Sequence, residues 1–262
     1  MKNFLSLILV LLATWNTTFW AGAADWGSLK GRLVFDGTPE EPKPINVNKD
    51  TEYCSQHKLV EETLVVGEKG GINNAFVYLY VKKGKSVEVH PDLATPSEKP
   101  AVLDNKGCRF EPRAMVVRTT QPFEIRNSDQ GVGHNTNAQT LRSNPKFNEQ
   151  VSNDSPITKV FAKSESYPAE VACNVHPWMK SFILIRDNPY MAVTDAKGNF
   201  EIKNLPAGKH EFIFWHEARG NMRDLAVGDT KTSRKGRAAL TITASQTLDL
   251  GEIKVPAAVL GL

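Results

Sequence analysis

No segment of about twelve residues or more in this chain places its apolar residues at a 3.6 period, and that absence most narrows what the chain can become. Helical bundles and alternating α/β layers both need such segments. What the chain carries instead are short β-type runs. Leu29, Leu33 and Phe35 alternate with Lys30, Arg32 and Asp36 until Gly37-Thr38-Pro39 ends the run. Further runs are Ala75–Val81, Ala114–Arg118, Phe123–Arg126, Ala169–Ala172, Phe182–Arg186, Phe200–Lys203, Glu211–His216 and Ala238–Thr243. The expected class is all-β, built as sandwiches or barrels.

At 262 residues with 40% apolar side chains, there is material for two cores. The longest breaks, Glu40–Asp50 and His90–Pro100, are rich in proline and charge and read as linkers or surface loops. Past Tyr190, the stretch Val193–Ile202 reads as a hairpin turning at Asp195–Gly198, and Leu205–Gly208 as a second turn.

The first residues have the form of an export signal. Lys2 gives a positive start, Phe4 to Trp15 is nearly all apolar, and Ala21-Gly22-Ala23 supplies the small residues of a cleavage site. Residues 1–23 are read as that signal, with an uncleaved anchor as the alternative. The expected location is periplasmic or extracellular, with no transmembrane segment in the mature chain. Losing 1–23 removes only Lys2, so the formal charge falls from +3 to +2. That is too mild for a nucleic-acid partner, and the basic cluster Lys231–Arg237 has no aromatic residues for base stacking.

The chemistry concentrates in Cys173-Asn174-Val175-His176-Pro177-Trp178-Met179. A thiolate, an imidazole and a thioether recur at three-residue intervals on a loop between two apparent strands, where a tight turn can aim them at one point. Upstream, His134-Asn135 sits in a glycine-bearing loop after Asn127-Ser128-Asp129 and offers a second imidazole. Two imidazoles and a thiolate with a weak axial thioether make the ligand set of a mononuclear type 1 (blue) copper site. Of three cysteines in a chain bound for an oxidising compartment, Cys173 is thus engaged, leaving Cys54 and Cys108 for a disulfide. The alternative for those two is a second metal site with His57, and His90 as a distant fourth donor. His210 and His216 read as structural.

The stretch from Val102 through Phe110-Glu111-Pro112, Ala114–Arg118, Phe123–Asn127 and His134-Asn135 to Cys173–Met179 resembles the cupredoxins, and its short copper loop looks most like that of amicyanin. The resemblance implies a Greek-key β-sandwich over residues 100–187. It implies that His134 and His176 bind through ring nitrogen, Cys173 through thiolate and Met179 axially. Asn135 would hold the loop and tune the sulfur; His176 would lie nearest the surface as the electron port, with Pro177 and Trp178 in an apolar docking patch. Residues near Gly31–Gly37 and 190–208 resemble a transthyretin-like, carboxypeptidase-regulatory β-sandwich. Residues 27–90 and 188–258 are therefore read as one discontinuous sandwich around the copper domain, with tandem domains as the plainer alternative.

Three functions compete. An electron carrier exchanging single electrons with a redox protein, a dehydrogenase or a cytochrome, fits the complete ligand set. A copper carrier would be expected to show a Met-rich or His-rich tract, which the chain lacks. A copper oxidase or reductase would need His-x-His pairs, and the histidines at 57, 90, 134, 176, 210 and 216 form none. The expectation is a protein without enzymatic turnover.

Overall fold

The computed structural model describes residues 26–141 and 143–262. The expected export signal lies outside the described residues. The fold is all-β: apart from single turns of helix, the described chain is strand and loop. Among the described residues, no helix is long and apolar enough to cross a membrane.

Two groups of sheets divide the chain. In one, Trp26–Asp36 lies at the centre of a three-stranded sheet, antiparallel to Asn199–Pro206 and parallel to Thr247–Pro256. Facing it is a sheet in which Phe76–Leu79 and Gly208–His216 are the central pair, flanked by Met191–Val193 and Arg237–Ile242. Leu29, Leu33, Val77, Leu79, Phe212, Phe214 and Val255 fill the space between them. In the second group, Ala114–Arg118, Lys180–Arg186, Ala169–Ala172, His134–Gln139 and Phe147–Val151 form one sheet in that order. Phe110–Glu111, Ala101–Asn105, Pro122–Asn127 and Ile157–Val160 form the other. Their core holds Leu103, Phe123, Ile125, Ile183 and Ile185, and also Cys173 and Met179.

Two strands explain how the groups join. Every residue of Phe76–Leu79 is buried, because successive side chains point to opposite faces and both faces are covered. Val77 and Leu79 enter the first core, while Phe76 and Tyr78 turn the other way and meet Phe182, Leu184, Ile213 and Trp215. Lys180–Arg186 splits likewise, with Ile183 and Ile185 on one side and Phe182 and Leu184 on the other. At the edge of this seam Arg113 grips Glu217 through two bonds of 2.7 Å. That bidentate geometry, with both side chains nearly buried, stabilises an ion pair otherwise costly to desolvate.

The hairpin expected at 193–202 is corrected. Its turn forms, with Gly198 N–H donating to Asp195 O at 2.8 Å and Asp195 N–H to Asn199 O at 3.0 Å. The flanking strands then diverge, Met191–Val193 to Phe76–Leu79 and Asn199–Pro206 to Trp26–Asp36. Gly198 (φ +80°) is held where a Cβ would lie 2.2 Å from Leu33 O, so this close crossing needs glycine.

His216 is 1% exposed, and burial pushes its imidazole down to about 4, with Arg113 adding repulsion. The unfolded chain takes up this proton near the ordinary value of about 6.5. A depressed native value therefore contributes stability that is complete above about pH 6.5 and is lost as pH falls towards 4. Denaturant titrations should show that loss, on the order of 3 kcal/mol, and a His216→Gln variant should show a flatter acid limb.

Candidate metal centre

Three sequence-selected donors converge. His134 opens the strand His134–Gln139, which corrects its expected place in a loop; pairing with Phe147–Val151 begins at His134 itself. Cys173 and His176 come from the turn between Ala169–Ala172 and Lys180–Arg186, which pair antiparallel beside it. The turn is closed by its own backbone: Met179 N–H donates to His176 O at 2.9 Å, and Cys173 N–H to Met179 O at 3.3 Å.

The two imidazoles face each other through Nδ1, 3.0 Å apart, and Cys173 Sγ lies 3.9 Å from His176 Nδ1. His134 and His176 are 0% exposed and Cys173 is 2% exposed. Met179, 1% exposed, belongs to the same buried cluster as Cys173. Both outer nitrogens are held by carboxylates, His134 Nε2 by Asp129 Oδ2 at 2.9 Å and His176 Nε2 by Asp50 Oδ2 at 2.8 Å. A carboxylate at Nε2 places the hydrogen there and leaves Nδ1 as the electron-pair donor. Two such nitrogens and a sulfur are thereby directed at one buried point, where a cation could be held between them. The donor set therefore fits a soft or borderline metal ion such as copper, and His134, Cys173 and His176 lie close enough together to hold one.

At Cys173 the electrostatics agree. Burial opposes ionisation of Cys173, but hydrogen bonds from His134, His176 and the Asn135 backbone N–H overcome it and bring the thiol down to about 5. A thiolate at neutral pH is the form that binds metal. His134 is pushed up to about 8: burial works against its charge, and the bonds to Asp129 and Cys173 outweigh it. Asp129, itself buried, is held below the ordinary carboxylate range by His134, the N–H groups of Cys108 and Gly107, and the Tyr53 hydroxyl.

Asn135 ties the pieces together. Its Oδ1 accepts the Asn174 N–H at 2.8 Å, and its Nδ2 donates to Asn148 Oδ1 at 2.5 Å.

Three expectations are adjusted. His176 is not the residue nearest the surface; Asp50 and the Trp178 ring, 5.2 Å away, cover it. Trp178 is half-buried, and its Nε1–H donates inward to Cys108 O at 3.1 Å, so the exposed part of the loop is Asn174, Val175 and Pro177. Cys54 and Cys108 are joined in a disulfide, which removes both sulfurs as thiolate ligands for a second site with His57. Donor atoms of Cys108, Asp129 and His134 also cluster, but that sulfur is the disulfide's and that imidazole is the one already described.

Asp129 and Asp50 were not singled out by the sequence as site residues. Asp129 has a faint local signal, a carboxylate five residues before the histidine; Asp50 has none, because it reaches His176 across 126 positions.

No protein-family model matches the chain, and no curated protein matches it. Solved structures do. The copper-containing nitrite reductase of Thermus scotoductus is 19% identical over 38% of this chain, with a TM-score of 0.32. The chain spans 27% of that enzyme's length. A purple cupredoxin from Nitrosopumilus maritimus is 16% identical over 32% of this chain and 98% of its own, with a TM-score of 0.27. A proline-to-glycine variant of amicyanin, in its reduced Cu(I) form, is 14% identical over 36% of this chain and 93% of its own, with a TM-score of 0.29.

Proposed function

We propose that this chain is an exported one-electron carrier in which His134, Cys173, His176 and Met179 would hold a single copper ion. The observation that carries the reading is the convergence of the Nδ1 atoms of two imidazoles, each anchored at Nε2 by a carboxylate, with the Cys173 sulfur in a site closed to solvent. When bound, copper supplies a one-electron couple. The protein supplies rigidity: each donor leaves a paired strand or a turn closed by its own backbone, so the ligand positions change little with the charge on the ion.

Burial of every donor favours retention of the metal over its delivery to an acceptor. The reading involves no catalytic turnover, because an enzyme needs an open position for substrate. The partner is a redox protein that docks near Asn174, Val175 and Pro177, where the loop meets solvent.

The division of the chain belongs to the same proposal. Residues 27–90 with 188–258 form one sandwich and 100–187 the copper-binding one. This is supported by the sheets, each of which draws its strands from only one of these groups.

The test is the visible and paramagnetic-resonance spectrum of the copper(II)-loaded protein. An intense thiolate-to-copper absorption with a narrow copper hyperfine splitting is expected. A colourless protein with an ordinary tetragonal copper spectrum would remove the electron-carrier reading.

A further inference from the structure

The turn Thr51–Cys54 and the residue before it lie outside the copper-binding group of strands, yet they touch the outer side of His176 directly and reach that of His134 through Asp129. Asp50 takes a left-handed backbone (φ 43°, ψ 46°), and its carbonyl accepts the N–H groups of Tyr53 at 3.0 Å and Cys54 at 2.8 Å. Non-glycine residues adopt that conformation uncommonly, and here it sends the side chain to His176 Nε2. One turn later Tyr53 donates to Asp129 Oδ1 at 3.0 Å, and Asp129 in turn holds His134. Cys54 ends the turn in its disulfide with Cys108, whose own N–H donates to Asp129 Oδ2 at 2.8 Å.

We propose that residues 50–54 are the outer clamp of the metal centre, with Asp50 the positioning residue for His176. This rests on the reading that copper is bound by His134, Cys173 and His176. An outer carboxylate fixes the tautomer and ring orientation of its imidazole and makes the inner nitrogen more basic. Its negative charge favours the higher-charged copper(II) over copper(I). The clamp therefore lowers the reduction potential, and its Asp50 is the last residue of Glu40–Asp50, a break that sequence reading assigns to a linker or surface loop.

Three forms of the full-length protein test this: wild type, Asp50→Asn and Asp50→Ala. The alanine variant should bind copper(II) about 10- to 100-fold more weakly. With copper(I) binding less affected, each tenfold difference raises the potential by about 59 mV. The asparagine variant keeps an acceptor oxygen without the charge and should fall between. In the metal-free protein, nitrogen-15 resonances of His176 should report the Nε2–H tautomer in wild type and asparagine, and a mixture in alanine. This readout is independent of copper, and a merely structural residue would not move it. A wild type with the thiolate-to-copper band, whose variants share one affinity, potential and tautomer, overturns the clamp and leaves the electron-carrier reading standing. A wild type without that band removes both.

Discussion

Cys173→Ser is expected to abolish the intense visible absorption of the copper(II)-loaded protein and to widen the copper hyperfine splitting to that of an ordinary tetragonal site. The absorption arises from charge transfer out of a thiolate, and serine supplies none. Its hydroxyl stays protonated near neutral pH, whereas the Cys173 thiol, held down to about 5 by His134, His176 and the Asn135 N–H against its burial, is ionised there. Serine is nearly isosteric and can accept the same backbone hydrogen bond, so the turn should survive and the loss reports ligation. The other two cysteines cannot substitute, because their sulfurs are bonded to each other. Retention of the band in the variant would place the thiolate ligand elsewhere and defeat the assignment.

Removal of the Cys54–Cys108 disulfide is expected to produce the largest loss of stability of any change considered. The bridge closes a loop across 54 positions. In the chain-entropy account such a closure limits the unfolded ensemble by about 4 kcal/mol. For a chain of this length that corresponds to a fall in melting temperature of roughly 8–16 °C, read by calorimetry on a Cys54→Ala/Cys108→Ala double variant. The bridged sulfurs are both buried, against Leu59 and beside Trp178, so the truncations also leave a small apolar void that adds to the loss. A melting temperature unchanged from wild type would mean that Thr51–Cys54 is held in place by its hydrogen bonds alone.

The sequence made the strands legible where one face or both faces are apolar. Of the runs read as strands, Ala114–Arg118 and Ala169–Ala172 have the bounds expected and the others lie within a few residues of theirs, while Ala101–Asn105, Phe147–Val151 and Ile157–Val160 are not read as strands at all. His134–Gln139 escaped because it carries two Asn and an Ala, types depleted in strands, and no apolar alternation. It is a strand because Ala169–Ala172 and Phe147–Val151 pair with its two edges. The strand Thr247–Pro256 escaped for a related reason: its alternation is interrupted at Gly251, and it pairs with Trp26–Asp36, far away in sequence. At the metal centre the spacing of Cys173, His176 and Met179 on one loop was visible, since a short loop limits where its side chains can go. The carboxylates behind the histidines were not, and neither was the burial of His176. Asp50 and the burial of His176 depend on how residues 50–54 fold over the loop, a contact that no local pattern encodes, whereas Asp129 leaves only the faint signal of a carboxylate five residues before its histidine.

The parallel pairing of Trp26–Asp36 with Thr247–Pro256 has a consequence for the order in which the chain can assemble. The first strand of the described chain finds one of its two partners only in the last strand. Closing so long a loop is slow, and pairings of high sequence separation form late. The intervening strands from Ala101 to Arg186 pair only among themselves and can complete their sheets first. Until residue 247 and beyond arrive, Trp26–Asp36 keeps an open edge, the kind of surface on which nascent β-proteins aggregate. A chain stopped before Thr247 would keep every donor of the metal centre and still lack the strand that closes its first sheet.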